Sequence, residues 1–368
     1  MNKGIKFRAY PTAEQKKLIS QTFGCSRLVY NKSLDAWNKA YENKEKCNYY
    51  TLAHDLTVLK KQEDYAFLKD VDSMALQQSL RDLDRGFTNF FAHRAKHPQF
   101  KSKHNNNCAY RTLNQKDNIC IVGNRLKLPK LGYVKIKQSM PVGEIKNVTV
   151  ERTPTGRYFV VLNTIFEPEV KFNAGGQIGI DVGISEFYTD SNNNVVENPK
   201  HLERAQKKLC REQRRLSRKQ KGSRNRDKQR VKVARVYENI INKRNDFLQK
   251  ETTRLVNENQ VICVEDLNVK GMLRNHKLAR HISSVSWSKF FTMLEYKSSW
   301  YGNEVIKVPT FYPSSQICSN CGYQNPLVKN LSVREWICPV CGAHHYRDEN
   351  AAENILTKGL EIRNSKVA

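Results

Sequence analysis

Three acidic residues, widely separated in the chain, each lie at the end of a predicted structural element. Asp181 ends an apolar strand that begins at Ile178, and Glu265 ends the apolar run 261–264. Asp348 lies at the start of a segment with helical periodicity, whose apolar residues share one face. Because two strand ends and one helix start can meet at one place, we expect these three carboxylates to converge.

Clustered carboxylates repel one another, and their pKa values rise unless cations neutralise them. Mg²⁺ accepts such oxygen ligands, and two ions can stabilise the attacking and leaving oxygens of phosphodiester cleavage. Each acid taken alone is also consistent with a turn cap. Together, the order Asp181, Glu265, Asp348 on a strand–strand–helix frame predicts an RNase H-like nuclease of the RuvC type, in which all three are catalytic and hold two Mg²⁺ ions.

Four of the ten cysteines form two close pairs near the C-terminus. Cys318 and Cys321 form the first pair, and Cys338 and Cys341 form the second. A glycine follows each pair, and 16 residues lie between Cys321 and Cys338. This spacing is typical of a tetrahedral site for one structural Zn²⁺. The neighbouring His344 and His345 are close enough in the sequence to be alternative zinc ligands. Four thiolates, however, fill all four coordination positions of the ion. The short distance from Cys341 to Asp348 predicts that folding of this site also fixes the third acid.

The first half of the chain combines a helical block with a strand-rich block. A strand is predicted at Lys3–Tyr10, and Thr12 and Gln15 fit a capping box that starts helical patterning up to about residue 97. Short alternating runs, including Asn118–Val122, indicate strands from about 105 to 166. We expect the first strand to join this sheet, which makes the helical block an insertion, and we place a boundary at 167–176.

Positive charge is concentrated in the second half of the chain. The sequence has 63 Lys and Arg against 36 acids, a net charge of +27, and residues 201–250 alone carry 18 basic residues against five acids. This segment predicts one or two basic helices, interrupted near Gly222. A solvated helix face is the alternative, but so one-sided a block favours contact with a phosphate backbone. The predicted nucleic-acid-binding residues here are Arg211, Arg214, Arg215, Arg218 and Lys219.

Composition excludes several classes of protein. With 39% hydrophobic and 10% aromatic residues, the chain can form packed cores, so wholesale disorder is not expected. No apolar stretch is long enough for a membrane span, and we see no secretory signal. We therefore expect a protein of the cytoplasm with no membrane partner.

Several longer motifs identify the chain as similar to TnpB, the transposon-encoded RNA-guided DNA endonuclease family related to type V CRISPR effectors. The resemblance runs essentially end to end. The motifs that carry it are KFRAYPTAEQ, ALQQSLRDLDRGFTNFF, RLKLPKLGYVK, GIDVG, LEYKSSWYG, FYPSSQICSNCG and RDENAAENI.

The resemblance implies an α+β multidomain fold. Residues 1–11 and 104–170 resemble a β-barrel-like wedge domain, and 12–103 an inserted helical recognition domain. Residues 174–316 and 344–368 resemble an RNase H-like (RuvC) α/β nuclease, with 317–343 as an inserted zinc ribbon. Asp181, Glu265 and Asp348 occupy the three catalytic positions of the family.

The resemblance also implies the partners. These are a guide RNA from the transposon end, with one protein per guide RNA, and target double-stranded DNA beside a short flanking motif, in a prokaryotic cell at the nucleoid. Tyr49, Gln77 and Thr112 match positions that touch the flanking duplex in a family member. A Gln side chain can hydrogen-bond to the adenine edge in the major groove, and a Thr methyl can contact thymine. The alternative for all three residues is packing or solvent exposure.

Two other functions remain open from the sequence. The first is a nuclease-independent RNA-guided DNA-binding repressor, which loss of any of the three acids would favour; none is missing. The second is an RNA-binding regulator of transposition whose nuclease activity is incidental.

Overall fold

The computed structural model describes residues 1–103, 108–168 and 175–367, with no account of side chains beyond residue 365. It divides into an N-terminal unit, residues 1–167, and a C-terminal unit, residues 168–368. The boundary predicted at 167–176 falls mainly on 169–174, which lie outside the described residues. Among the described helices, none is both long enough and apolar enough to cross a membrane.

The N-terminal unit is one antiparallel sheet with helices between its first and second strands. A 3₁₀ helix, Glu63–Lys69, precedes the third α-helix. The elements are β1 (Asn2–Tyr10), α1 (Ala13–Glu42), α2 (Tyr49–Leu59), α3 (Ser73–Phe91), β2 (Cys108–Leu113), β3 (Ile121–Val122), β4 (Arg125–Leu128), β5 (Gly132–Lys137), β6 (Ile145–Arg152) and β7 (Tyr158–Ile165).

The seven strands lie in the order β2-β6-β7-β1-β5-β4-β3. β1 pairs with β7 along its length, with Phe7 opposite Val160, and with β5 at its end. Ile5, Phe7 and Ala9 are buried, because alternate residues of a strand face the same side. The prediction that the first strand joins the later sheet is confirmed.

The predicted helix start is also confirmed. The side chain of Thr12 accepts a hydrogen bond from the backbone amide of Gln15. The side chain of Gln15 accepts one from the backbone amide of Thr12, which completes the capping box. α3 ends at Phe91 rather than near residue 97, since His93 adopts a left-handed φ of 55°.

The predicted strand Asn118–Val122 is wrong in its first half. Only Ile121–Val122 are extended. The residues before them form a turn in which Lys116 and Asp117 have positive φ and the Asn118 side chain accepts a hydrogen bond from the Gln115 amide. An Asn side chain that satisfies the backbone locally favours a turn over a strand.

The C-terminal unit contains a mixed sheet, long basic helices and a small two-stranded hairpin. A 3₁₀ helix, Pro326–Lys329, lies before the hairpin. The elements are β8 (Gln177–Val182), β9 (Glu186–Asp190), β10 (Val195–Glu197), α4 (His201–Ser217), α5 (Arg224–Glu258), β11 (Val261–Glu265), α6 (Val269–Met272), α7 (Ala279–Val285), α8 (Trp287–Tyr301), β12 (Glu304–Val308), β13 (Glu335–Ile337), β14 (His344–Tyr346) and α9 (Arg347–Val367).

The five-stranded sheet has the order β10-β9-β8-β11-β12. β8, β11 and β12 are parallel neighbours, whereas β9 and β10 continue the sheet antiparallel. Parallel strands that are buried on both faces have continuous apolar sequences. β11 is such a strand, since its residues 261–264 are all buried. Their shared direction brings the carboxyl ends of β8 and β11 to the same edge of the sheet.

The predicted break in the basic segment is confirmed. α4 ends at Ser217 and α5 begins at Arg224. Gly222 has a φ of 84°, and the next residue, Ser223, caps α5 by accepting a hydrogen bond from the Arg226 amide.

α9 lies against β8 at a point where only glycine fits. A Cβ on Gly179 would lie 2.7 Å from the backbone nitrogen of Leu356 and closer still to the carbonyl oxygen of Ala352. Backbone atoms of a helix cannot move aside one at a time, so the close approach of β8 and α9 depends on this residue. Since Asp181 lies on β8 and Asp348 on α9, the same contact sets the separation of two predicted catalytic residues.

We expect Gly179→Ala to destabilise the C-terminal unit by about 1–3 kcal/mol, because the added methyl overpacks this contact. Calorimetry or urea unfolding measures the change. Gly4→Ala is the matched control. Gly4 also lies in a strand, β1, but a Cβ added there would have no atom within 4 Å. Equal stability of the two variants would show that α9 does not need the glycine.

Candidate functional site

The three predicted acids come together at one edge of the five-stranded sheet. Asp181 is the penultimate residue of β8, and Glu265 is the last residue of β11. In the parallel pairing Val264 lies opposite Ile180. Asp181 and Glu265 are the next residues of the two strands, so both acids lie at the same edge of the sheet. Asp348 lies in the first turn of α9, the helix that packs on β8.

All three acids line one cavity of about 350 Å³. The charged residues around it are four carboxylates, including Glu186, and the two guanidinium groups of Arg334 and Arg347. Acidic charge therefore exceeds basic charge among the described residues of its wall. Its other lining residues are Val182, Gly183, Ile184, Ser185, Tyr188, Thr189, Trp287, Ser314, Ser315 and Leu331.

Burial and the proximity of the acids both raise the pKa of Asp181. Desolvation, followed by repulsion from Glu265 and then Asp348, raises the pKa of Asp181 well above its usual value, while Arg347 and Arg334 oppose the shift. Desolvation also raises the pKa of Glu265, against a hydrogen bond from Ser314 that lowers it. Removal of water and like charge both disfavour a carboxylate, so these side chains attract protons or cations.

Two neighbours of the acids were not identified from the sequence. The Ser314 hydroxyl donates to Oε1 of Glu265 over 2.7 Å. The Arg334 guanidinium lies 3.5 Å from Oδ2 of Asp348. Both belong to the segment around the cysteine pairs, so only the fold brings them to the strand ends. Their sequence signal is limited to the motif FYPSSQ and to a basic residue two positions before Trp336.

Arg347, next to Asp348, anchors the start of α9. Its side chain is buried and donates to the carbonyl oxygens of Val328 and Asn330, each over 2.8 Å. Its amide donates to the carbonyl of Arg334 over 2.8 Å. These bonds fix the backbone on which Asp348 is carried.

The donor set of the cavity suits a hard divalent cation. Three carboxylates from three elements supply oxygen ligands, which Mg²⁺ prefers. Burial, and then the charges of Glu265 and Asp348, raise the pKa of Asp181, and a bound cation would offset both effects. Asp181, Glu265 and Asp348 are thus the candidate Mg²⁺ ligands of this cavity, whereas among the described residues only the four cysteines have three or more potential ligand atoms within 4.8 Å of one another.

The four cysteines of the two pairs form a second cluster. Their Sγ atoms all lie within 4.8 Å of one another. Cys318 and Cys341 are 3.6 Å apart, as are Cys321 and Cys338. Ligands about 2.3 Å from a tetrahedral Zn²⁺ would be separated by about 3.8 Å, so the cluster fits a zinc site. Nε2 of His345 lies 3.0 Å from Sγ of Cys318, beside the four thiols.

The cysteine cluster is bonded directly to α9. The side-chain amide of Asn354 donates to the carbonyls of Ser314 and Ile317, over 2.8 and 2.6 Å. Asn350 donates to Ile317 over 2.7 Å and accepts from the amide of Ser319 over 2.9 Å. Since Ile317 and Ser319 flank Cys318, the first cysteine pair and the helix that carries Asp348 hold each other in place.

The predicted basic residues lie on the exposed surface of α4 and just after it. All five of them are exposed, whereas Glu212 among them is buried. Glu212 accepts hydrogen bonds from Arg215 over 3.1 Å and from Gln229 of α5 over 2.7 Å, which ties the two helices together. A cavity of about 290 Å³ between α4 and α5 adds Lys208, Lys232 and Arg235 to this basic surface.

The residues predicted to read the flanking duplex differ in exposure. Tyr49 and Gln77 are half-buried, and the Tyr49 ring carries the exposed guanidinium of Arg81 4.6 Å from its centroid. Thr112 is fully buried, with an exposed fraction of 0%. It therefore offers no surface to a DNA base here, and packing, the alternative considered for it, accounts for its position.

Comparison with family models covers most of the chain. A model described as "Probable transposase" matches residues 149–276, and one described as "Cas12f1-like, TNB domain" matches 287–355. A "Helix-turn-helix domain" model matches residues 1–46, where the structure has the strand β1 followed by the single helix α1.

Two bacterial relatives align along nearly the whole chain. A Streptomyces pristinaespiralis protein named "Putative RNA-guided DNA endonuclease" is 42% identical over 98% of this chain and 90% of its own length. A protein of Escherichia coli K12, "Putative RNA-guided DNA endonuclease InsQ", is 34% identical over 97% of this chain and 92% of its own.

The fold has a counterpart among solved structures. A chain from "Cryo-EM structure of the Cas12f1-sgRNA-target DNA complex" superimposes with a TM-score of 0.62, over 96% of this chain and 98% of that one, at 14% sequence identity. Identity this low supports the shared fold alone. The end-to-end sequence relatives carry the assignment: the chain belongs to the TnpB family of RNA-guided DNA endonucleases.

Proposed function

We propose that the protein binds a guide RNA from the transposon end, recognises a short motif beside the target and cleaves DNA by Mg²⁺-dependent phosphodiester hydrolysis. The observation that carries this proposal is the cavity in which Asp181, Glu265 and Asp348 meet. A binder without nuclease activity would not need three carboxylates at the cost of the desolvation and repulsion that raise the pKa of Asp181.

Each side chain has a distinct part in the proposed reaction. Asp181, Glu265 and Asp348 provide carboxylate oxygens for two Mg²⁺ ions, which when bound would stabilise the attacking and leaving oxygens of the phosphodiester. Ser314 holds Glu265 in one orientation through its hydrogen bond. Arg347 keeps the first turn of α9 in place, and Arg334 balances the charge of Asp348.

The partners follow from charge and from the relatives. The solved neighbour is a complex with sgRNA and target DNA, and both sequence relatives are named as RNA-guided endonucleases. We propose that the basic surface of α4 and α5 contacts phosphates, so that base pairing with the guide supplies sequence choice. One protein would bind one guide RNA, and Tyr49 and Gln77 remain candidates for contact with the flanking duplex. Zn²⁺ would occupy the four-cysteine cluster as one structural ion.

Asp181→Ala should lower the cleavage rate by on the order of 10³-fold or more, because it removes a carboxylate from the centre of the cavity. Guided DNA binding should be unchanged. Plasmid cleavage and gel-shift assays on the same guide-loaded protein measure the two properties. Asp246→Ala, at an exposed residue paired with Lys250 in the same unit, is the control. Cleavage by Asp181→Ala at the wild-type rate would contradict the proposal.

The raised pKa values predict how stability depends on pH when divalent metal is removed. Asp181 and Glu265 retain protons in the folded state to a higher pH than in the unfolded state. The folded state then binds more protons, so stability should increase as pH falls from neutral and decrease as it rises through the raised pKa values.

Asp181→Asn removes one of these charges and should raise the melting temperature in EDTA at neutral pH. Mg²⁺ should stabilise the wild type by binding the folded state, and stabilise Asp181→Asn much less. Thermal unfolding with EDTA and with Mg²⁺ compares the two proteins. Equal stabilisation of both by Mg²⁺ would place the ion elsewhere.

Cys338→Ser should reduce the zinc content from one equivalent to near zero and destabilise the C-terminal unit. Because Asn350 and Asn354 link the first cysteine pair to α9, cleavage should fall as well. Metal analysis by mass spectrometry and a cleavage assay test this. Cys120→Ser, at a half-buried thiol in the other unit, should retain zinc and activity. A stable, active Cys338→Ser protein without zinc would refute the structural role.

A further inference from the structure

One aromatic side chain, in the turn that leads to the cavity-lining Ser314, is almost completely exposed. Phe311 is 96% exposed, the highest value among the large apolar side chains in the described part of the chain. It lies in a turn that follows β12 and leads to Ser314. Exposed apolar area of this size on an ordered turn is unfavourable in water. Its burial against a partner would lower the free energy of the complex.

The turn that carries Phe311 is held firmly on both sides. Thr310 donates through its hydroxyl to the carbonyl of Asp266 over 2.6 Å, and the Tyr312 amide donates to the carbonyl of Pro309 over 2.9 Å. The Tyr312 side chain packs inward, against the buried cluster that contains Val308 and Ile355. Adjacent aromatic residues therefore have opposite roles: Tyr312 anchors the turn, and Phe311 projects from it.

The turn is attached to the strand end that carries Glu265. Thr310 bonds to the residue after Glu265, and Ser314 bonds to Glu265 itself. Ser314 is the third residue after Phe311, so their Cα atoms are at most about 11 Å apart. Leu331, which lines the cavity, is 72% exposed and adds a second apolar side chain to its surroundings.

The substrate expected at this cavity has a matching surface. Guide pairing displaces one DNA strand, so the proposed function brings single-stranded DNA to the acids of this cavity. The bases of a single strand expose flat π-faces, and proteins commonly stack them on aromatic side chains without regard to sequence. A rigid phenyl ring loses little conformational entropy on stacking.

We propose that Phe311 is a positioning residue that stacks on a base of the DNA strand entering the nuclease site, close to the scissile phosphate. The proposal rests on the proposed nuclease function. Stacking would fix the nucleotide beside the cavity, so that its phosphate lies against Asp181, Glu265 and Asp348. The ring touches a base of any sequence and leaves sequence choice to the guide.

The test compares four variants in guide-loaded protein bound to target DNA. Phe311→Ala removes the ring, and Phe311→Leu keeps apolar volume without a π-face. Phe311→Trp and Phe311→Tyr keep a stacking surface. We expect Phe311→Ala and Phe311→Leu to cleave roughly 5- to 100-fold more slowly in single turnover, with Phe311→Trp and Phe311→Tyr near the wild type and with guided binding unchanged in all four.

A second measurement detects stacking without cleavage. 2-Aminopurine is placed at successive positions near the cut in each DNA strand, and fluorescence is read in EDTA. The wild type and Phe311→Trp should quench the probe at one position, and Phe311→Ala and Phe311→Leu should restore its fluorescence there. Phe311→Leu that cleaves and quenches like the wild type would overturn the stacking role, as would Phe311→Ala without any defect. A wild type that quenches but does not cleave would contradict the nuclease proposal and leave the stacking role supported.

Discussion

Repulsion between carboxylates around one cavity is the constraint that organises the C-terminal unit. Exclusion of water raises the pKa of both Asp181 and Glu265, and at Asp181 the nearby charges of Glu265 and Asp348 raise it further. An isolated chain would relieve this repulsion by moving the acids apart. The fold prevents it with backbone elements: two parallel strands fix the first two acids, and the contact at Gly179 holds α9, and with it Asp348, against β8.

The cysteine cluster extends this constraint beyond the sheet. Asn350 and Asn354 bond α9 to the backbone around Cys318, and Arg347 bonds its first turn to the carbonyls of Val328 and Asn330. Ser314, on the same connecting segment, orients Glu265. The four-cysteine cluster and the carboxylate cavity are in this way coupled through one helix and one loop, so disorder at the first would displace residues of the second.

The sequence was informative where local pattern and long-range structure agree. Apolar strands that end in Asp181 and Glu265, the capping box at Thr12 and the cysteine spacing all depend on neighbours in the chain, and the structure has them as predicted. Arg334 and Ser314 were missed because they reach the acids only through folding across the connecting segment. Thr112 was misleading because motif similarity gives no information on exposure, and its side chain is fully buried.

The proposed cleavage requires divalent metal held jointly by Asp181, Glu265 and Asp348. Anomalous diffraction from crystals grown with Mn²⁺, a scatterer with ligand preferences close to those of Mg²⁺, tests this most directly. We expect anomalous density in the cavity, within bonding distance of oxygens from all three side chains. Saturating Mn²⁺ that leaves this cavity without density, or that binds only at a different group of acids, would contradict it.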